Sequence, residues 1–217
     1  MRPSKELLFN KQSKEIIELS SADEYLAKLI YSIGDHSLRL RSKYFESLIR
    51  IIVGQQLSIH AARKIWENLK ITCGEYTPKK ILQRNVGDLK AAGLSTAKAS
   101  YIHGLARQIV NHDLDLDELT LLEDEEVIRK LVEIKGIGKW SAEMYLIFSL
   151  GRLDVFSHDD VGLQRGIKWL YRLPAEPLQK TYIQIAEKWR PYRTIASLYI
   201  WEAINQGIIN GNSFHES

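Results

Sequence analysis

The sequence predicts an all-α fold, and three observations carry that prediction. Apolar residues recur at helical spacing through most of the 217-residue chain. A Gly136-Ile137-Gly138 break separates two runs that are both helix-compatible. Strand-like composition is confined to fragments such as Ile71-Thr72. Neither a tandem repeat nor a low-complexity segment is present.

Hydrophobic residues make up 45% of the chain and charged residues 26%, a balance that builds a globular core. At this length the chain forms one large domain or two small helical subdomains. No apolar run reaches the length of a membrane span, and Met1-Arg2-Pro3-Ser4-Lys5-Glu6 does not read as a secretory leader, so an intracellular protein is expected. Cys73 is the single cysteine, which excludes an internal disulfide, a multi-cysteine zinc site and a four-cysteine iron–sulfur cluster. The net charge of +3 says little by itself. Its distribution says more: residues 63–107 carry nine Lys or Arg against three acids, whereas residues 113–126 carry eight acids and no base. That polarity fits either a protein oriented basic side inward on DNA or two solvated faces.

Taken in order, residues 1–20 read as a charged surface arm or a short strand-like lead-in. Ser20 or Ser21 is placed to cap a helix from about Asp23 that buries Tyr25, Leu26, Leu29, Ile30 and Ile33 and ends at Gly34. Residues 35–42 form a polar connection. The run from Tyr44 to Val53 is apolar nearly all round and is expected to be a buried helix. Gly54-Gln55-Gln56-Leu57-Ser58 interrupts it, with Ser58 as N-cap of a helix whose inner face is Ile59, Ala62, Ile65, Trp66 and Leu69. Pro78 opens a helix to about Arg84. Leu89 to Val110 holds a helical pair around Ala92-Gly93-Leu94-Ser95, beside which Lys98 reads as a solvated lysine in preference to a phosphate contact. Val161–Leu170, Thr181–Trp189 and Ile195–Asn205 are the remaining helices, followed by a Gly-Asn-Ser-rich tail.

The most informative stretch is Leu131-Val132-Glu133-Ile134-Lys135-Gly136-Ile137-Gly138-Lys139-Trp140-Ser141-Ala142. Two glycines permit a tight turn and leave no side chains between the backbone and a ligand. The helix after it, Lys139 to Leu150, repeats apolar residues at Trp140, Met144 and Ile147. Its first amides therefore form an anion site suited to phosphate. Val155-Phe156-Ser157-His158-Asp159-Asp160 follows, closing on Asp160 at a set spacing from Gly136. Taken alone, a Gly-x-Gly is a turn between packed helices and an Asp at a helix start is its cap.

The whole string, from about Tyr44 to Trp201, resembles the helix-hairpin-helix DNA glycosylases, and within them the 3-methyladenine DNA glycosylase II branch. The resemblance implies a two-lobed helical fold. One lobe spans residues 35–152 and carries the hairpin at 131–150, the other comprises 1–34 with 153–217, and the active-site cleft lies between them. It also implies a minimal form without the N-terminal β domain of larger members. The implied activity is excision of alkylated purines of the 3-methyladenine and 7-methylguanine type from double-stranded DNA, by a monomer with no membrane association and no iron–sulfur cluster.

The implied site residues follow position by position. Asp160 is the catalytic carboxylate, its spacing from Gly136 matching the family's, with Asp159 left to cap the helix. Trp140 and Trp201 match the family's two base-pocket tryptophans, and Tyr145 is a further pocket candidate. Gln56, or its neighbour Leu57, is the wedge that fills the gap left by an extruded nucleotide. Gly136, Gly138 and Lys139 bind a DNA phosphate through backbone amides, and the carbonyls of Val132, Ile134 and Ile137 hold a structural Na⁺ or K⁺. Bifunctional relatives carry a nucleophilic lysine where this chain has Trp140, so a monofunctional enzyme using water is expected. Met144 stands where an aromatic is frequent, and Ser157 where proline is common. Two other readings compete: a non-catalytic hairpin module that binds DNA, and a glycosylase for deaminated or mismatched bases.

Overall fold

A computed structural model describes residues 5–210 and Phe214, apart from the side chain of Ile59. The leading Met-Arg-Pro-Ser of the expected surface arm, Ile59 as a member of its helix face, and most of the Gly-Asn-Ser-rich tail lie outside the described residues. Helices dominate, as the periodicity predicted. In chain order the elements are β1 (Glu6–Phe9), α1 (Lys14–Ala22), α2 (Glu24–Ile33), β2 (His36–Arg39), α3 (Tyr44–Gly54), α4 (Ile59–Cys73), α5 (Pro78–Leu82), α6 (Val86–Ala91) and α7 (Thr96–Val110). After a 3₁₀ turn at Glu118–Leu121 come α8 (Asp124–Val132), α9 (Lys139–Tyr145) with a π turn at Leu146–Leu150, α10 (Val161–Leu170), α11 (Gln179–Glu187) and α12 (Arg193–Asn205).

These elements form two compact units. The first runs from Arg41 to Leu150 and the second joins Lys5–Leu40 to the segment from Gly151 onward. In the first unit α3 is the central rod, burying Leu48, Ile49, Ile52 and Val53. Around it pack α4, α7 and α9, and the core is completed by Leu69, Ile81, Leu89, Ile102, Val127 and Leu131. Each such side chain contributes about 1.5–3 kcal/mol when fully buried. The local signals behaved as chemistry dictates: Ser58 Oγ accepts the Ala61 amide, Thr77 Oγ1 the Lys80 amide with Pro78 in the first turn, and Ser95 Oγ the Lys98 amide.

In the second unit α12 is the buried rod, with Ile195, Ala196, Leu198, Tyr199 and Ile200 inside. Helices α2 and α10 pack on it. Close approach of α10 depends on Gly166, where an added Cβ would lie 2.3 Å from Ile200 Cγ2. Four expectations are corrected here. Asp23, not Ser20 or Ser21, caps α2, its Oδ1 accepting the Tyr25 and Leu26 amides. Those serines belong to α1, an additional helix in the stretch expected to be an arm or a strand-like lead-in, the lead-in being present as β1, and Ser21 Oγ donates to the Ile17 carbonyl. Residues 36–39 are not a connection but a strand, antiparallel to β1 in the register Glu6 opposite Arg39 and Phe9 opposite His36. The pairing carries residues 35–40 into the second unit, so the first begins later than the expected residue 35.

Asp23 does more than cap. Its Oδ2 accepts the Tyr171 hydroxyl at 2.5 Å and the Trp189 indole N–H at 3.4 Å, with Asp23 and Trp189 buried. A buried carboxylate is held only when its lone pairs are filled, and here two amides, a phenol and an indole all donate to it. Burial and the Asp23 carboxylate together push the Tyr171 phenol far above its ordinary range.

Candidate functional site

In the first unit, α8 ends at Val132 and the chain turns through Ile134, whose amide reaches the Leu131 carbonyl at 3.1 Å, while the Ile137 amide reaches the Ile134 carbonyl at 3.0 Å. Gly136 sits at φ +93°, the left-handed region that favours glycine. A second constraint acts there: an added Cβ would fall 2.2 Å from the Tyr101 ring, so α7 seats the hairpin directly on its backbone. Gly138 is the N-cap of α9 in extended conformation and provides no side-chain cap. The first-turn amides therefore carry the partial positive charge of a helix start, on an exposed edge formed by Gly138 and Lys139. The Lys139 ammonium lies 3.8 Å from Glu143, whose side chain is only 5% exposed.

The Gly-Gln-Gln loop is tied to this hairpin. Gln55 Nε2 donates to the Gly136 carbonyl at 2.9 Å and to Ser141 Oγ at 3.0 Å. Beneath it, Lys98 Nζ donates to the carbonyls of Val53 and Gln55 at 2.9 and 2.6 Å, neutralising the negative C-terminal end of α3. Lys98 is thus a half-buried structural cation and not the solvated lysine expected, and burial lowers its pKa. Gln56 is exposed with φ +56°, a conformation uncommon for a residue other than glycine, and Leu57 beside it is exposed at the cavity rim. Loop and hairpin form one hydrogen-bonded piece that presents Gln56 outward.

Trp140, half-buried in the first turn of α9, lines a cavity of about 380 Å³ together with Met144, Phe148, Trp66, Arg41 and Arg50. Tyr145 is placed differently from the pocket role expected of it. It is fully buried and its ring meets Tyr44 edge-on at 6.0 Å, so it supports α9 from the core and does not line the cavity.

In the second unit, Asp160 is the N-cap of α10. Its Oδ1 accepts the Leu163 amide at 2.6 Å and the Trp201 indole N–H at 3.1 Å. Gly162 makes room, since an added Cβ would lie 3.2 Å from the same oxygen. The capping role expected of Asp159 therefore belongs to Asp160. Asp159 is exposed and takes the His158 Nδ1 contact at 2.8 Å and the Gln179 Nε2–H at 3.2 Å. Trp201 is half-buried, and its indole N–H holds the carboxylate. The approach to Asp160 is pinned from α12: Thr194 Oγ1 accepts the Val155 amide at 3.0 Å and donates to the Arg152 carbonyl at 2.8 Å, and Arg193 Nε and Nη2 bind both carboxylate oxygens of Asp154.

The sequence singled out the hairpin, Gln56, Asp160 and both tryptophans as candidates, and gave no bracing role to Gln55 or Lys98 and no role to the two arginines of the cavity. The doubled glutamine was the available signal for Gln55. No pattern marks Lys98, because its partners, the carbonyls of Val53 and Gln55, belong to a distant part of the chain.

The sequence profile of the HhH-GPD superfamily of base excision DNA repair proteins matches residues 49–191. A DNA-3-methyladenine glycosylase 1 from Schizosaccharomyces pombe is 34% identical over 206 residues, covering 91% of this chain and 90% of that protein. Among solved structures, a DNA-3-methyladenine glycosidase from Bacillus halodurans superimposes with a TM-score of 0.83 at 38% identity, covering 97% of this chain and 98% of the other. A 3-methyladenine DNA glycosylase from S. pombe in complex with abasic DNA gives 0.80 at 33% identity, covering 88% and 96%. No helix of the described residues is long and apolar enough to cross a membrane.

Proposed function

The chain belongs to the HhH-GPD superfamily of base excision DNA repair proteins, and on that premise we infer that it is a monofunctional DNA glycosylase that releases alkylated purines from duplex DNA. The observation that carries this reading is Asp160, a carboxylate fixed by the Leu163 amide and the Trp201 indole and following the glycine hairpin in the chain.

An N3- or N7-alkylated purine is already cationic, so the leaving group needs no general acid. What the reaction lacks is stabilisation of the oxocarbenium-like sugar and a positioned water, and one ionised carboxylate serves both. The two donors on Oδ1 hold the carboxylate in place at the start of α10. No lysine occupies position 140, so a Schiff base with the sugar is not formed and the product is an intact strand with an abasic site. The target base must leave the helix, and an indole face attracts an electron-poor cationic ring. Trp140 serves that stacking. Trp201 adds the N–H that orients Asp160.

Gln56, exposed on a loop braced by Gln55 and Lys98, is the wedge for the vacated stack, with Leu57 beside it. The amides of Gly136, Gly138 and Lys139 hold a backbone phosphate, which carries no sequence information. The carbonyls of Val132, Ile134 and Ile137 are neutral hard oxygens at the negative end of α8, a donor set that fits a monovalent cation; one lone pair at Ile134 is taken by the Ile137 amide. Such an ion would add positive charge facing the same phosphate. The protein acts as a monomer wherever the cell keeps its DNA.

The test is release of free base from methylated duplex DNA by the unaltered protein and by Asp160→Asn. The expected result is loss of about 10²–10⁴-fold in rate with binding to abasic-analogue DNA retained. Asparagine keeps the cap to Leu163, so folding is preserved. Full activity of the variant contradicts the assignment, and binding without release by the unaltered protein favours the hairpin-module reading.

A further inference from the structure

The cavity beside Trp140 contains more charge than stacking on a base requires. Arg41 and Arg50 both line it, and no Asp or Glu does. Among the described residues neither arginine makes an ion pair, whereas Arg63, at the same cavity, is held by Glu67 at 3.0 Å. Each of the two guanidinium groups is fixed by an aromatic face. Arg41 lies 4.8 Å over the Phe148 ring, and its backbone amide donates to the Phe148 carbonyl at 2.8 Å. Arg50 lies 5.4 Å over Trp66, which is itself stacked on Tyr76 at 4.0 Å. A guanidinium that spends its face on a ring keeps its in-plane N–H donors for a ligand, and the planar fork suits the oxygens of a phosphate.

The two cations also act on each other. Burial, and then the nearby Arg50 charge, bring the Arg41 pKa down to about 10. A partly desolvated Arg41 beside a like charge, in a cavity lined by no acid, raises the energy of the ligand-free protein, and an anion relieves it. A neutral base edge could accept hydrogen bonds there but would leave the charge uncompensated. Gly54 and Leu57 line the same cavity, placing it next to the loop that carries Gln56.

We propose that Arg41 and Arg50 form a phosphate oxyanion site in this cavity, and that its occupant is a backbone phosphate of the bound DNA next to the wedge loop. The first half stands on the cavity; the second rests on the DNA-glycosylase reading above.

The experiment measures DNA affinity against salt for the unaltered protein, Arg50→Gln and Arg41→Gln, with a methylphosphonate scan of the DNA and, separately, thermal melting with inorganic phosphate. Arg50 is solvent-exposed, so its substitution tests the site even if Arg41→Gln fails to fold. The expected result is a log–log salt slope shallower by about one for Arg50→Gln. In addition, one neutralised phosphate should weaken the unaltered protein several-fold and leave the variant unaffected. If the slope is unchanged but phosphate raises the melting temperature of the unaltered protein and not of Arg50→Gln, the oxyanion site stands and the DNA source is overturned. If neither slope nor phosphate stabilisation responds, the proposal is overturned, including where the variant merely alters which base is released. A protein that binds no DNA at all sinks the glycosylase reading, and the phosphate melt still decides the site.

Discussion

The hairpin region and the Asp160 region solve the same problem, holding charge in place, by opposite means. In the proposed function the hairpin acts through backbone amides and carbonyls, and side chains serve as scaffolding: Gln55 ties the loop to the Gly136 carbonyl, Lys98 neutralises the end of α3, and the Tyr101 ring seats Gly136. At Asp160 the proposed reaction relies on one side chain, which backbone and side-chain donors scaffold. Backbone sites tolerate changed side chains but not changed dihedrals. Side-chain sites tolerate neither the loss of their group nor the loss of its orientation. Substitutions in the two regions should therefore fail in different ways.

The largest loss of stability is expected at the hairpin. Gly136→Ala adds a Cβ where φ is +93° and the Tyr101 ring stands 2.2 Å away, so about 2–4 kcal/mol of stability should go, from left-handed strain and overpacking together. Denaturant unfolding measures it, and the weakened DNA binding should be the same for every DNA sequence. A neutral outcome would mean that the hairpin does not rest on α7.

Lys98→Met strips two carbonyls of their shared cation, and about 1–2 kcal/mol should be lost, within the range for hydrogen bonds to charged groups. The sharper readout is on DNA: binding to a duplex with an extrahelical or abasic site should weaken more than binding to intact duplex, because the loop carrying Gln56 loses its brace. Equal weakening on both would reduce Lys98 to a stabilising residue.

Trp201→Phe keeps an aromatic face and removes the N–H on Asp160 Oδ1. Single-turnover base release should slow about tenfold, the equivalent of about 1.4 kcal/mol, with substrate affinity little changed. A loss of affinity at unchanged rate would instead make Trp201 a stacking platform alone.

The smallest effect separates the units by pH. His36, at the start of β2, contacts the Tyr199 ring at 5.5 Å, and burial lowers its pKa. The unfolded chain then binds a proton more readily than the folded one, so stability declines as pH falls through about 6.5. The melting temperature of the unaltered protein should drop between about pH 7.5 and 5.5, and less so in His36→Gln.

The same contrast explains what could be read from the sequence. The hairpin was legible because a left-handed turn against a packed ring demands glycine and because helical periodicity flanks it. Asp160 was singled out through the family resemblance, whose spacing from Gly136 it matches, but the capping role was given to Asp159, since two adjacent acids at a helix start satisfy the same local rule. Asp23 was passed over as α2's cap for a related reason: two serines just upstream competed for the role. The strand pair β1–β2 was illegible because both strands are very short and two helices, α1 and α2, separate them in the chain. The Trp201–Asp160 bond and the two Lys98 bonds likewise join residues far apart in sequence, beyond the reach of any local pattern. Periodicity placed Tyr145 on a helix but could not tell its core face from a cavity wall.

One measurement decides most directly between a water-using glycosylase and its rivals: incubate the unaltered protein with duplex DNA methylated at purines, and assay the free base and the strand together. The expected result is release of methylpurine with the strand left whole until the abasic site is cleaved by heat or alkali. Immediate strand cleavage, trapped as a covalent adduct by borohydride, or no base release at all from DNA that the protein binds, would contradict it.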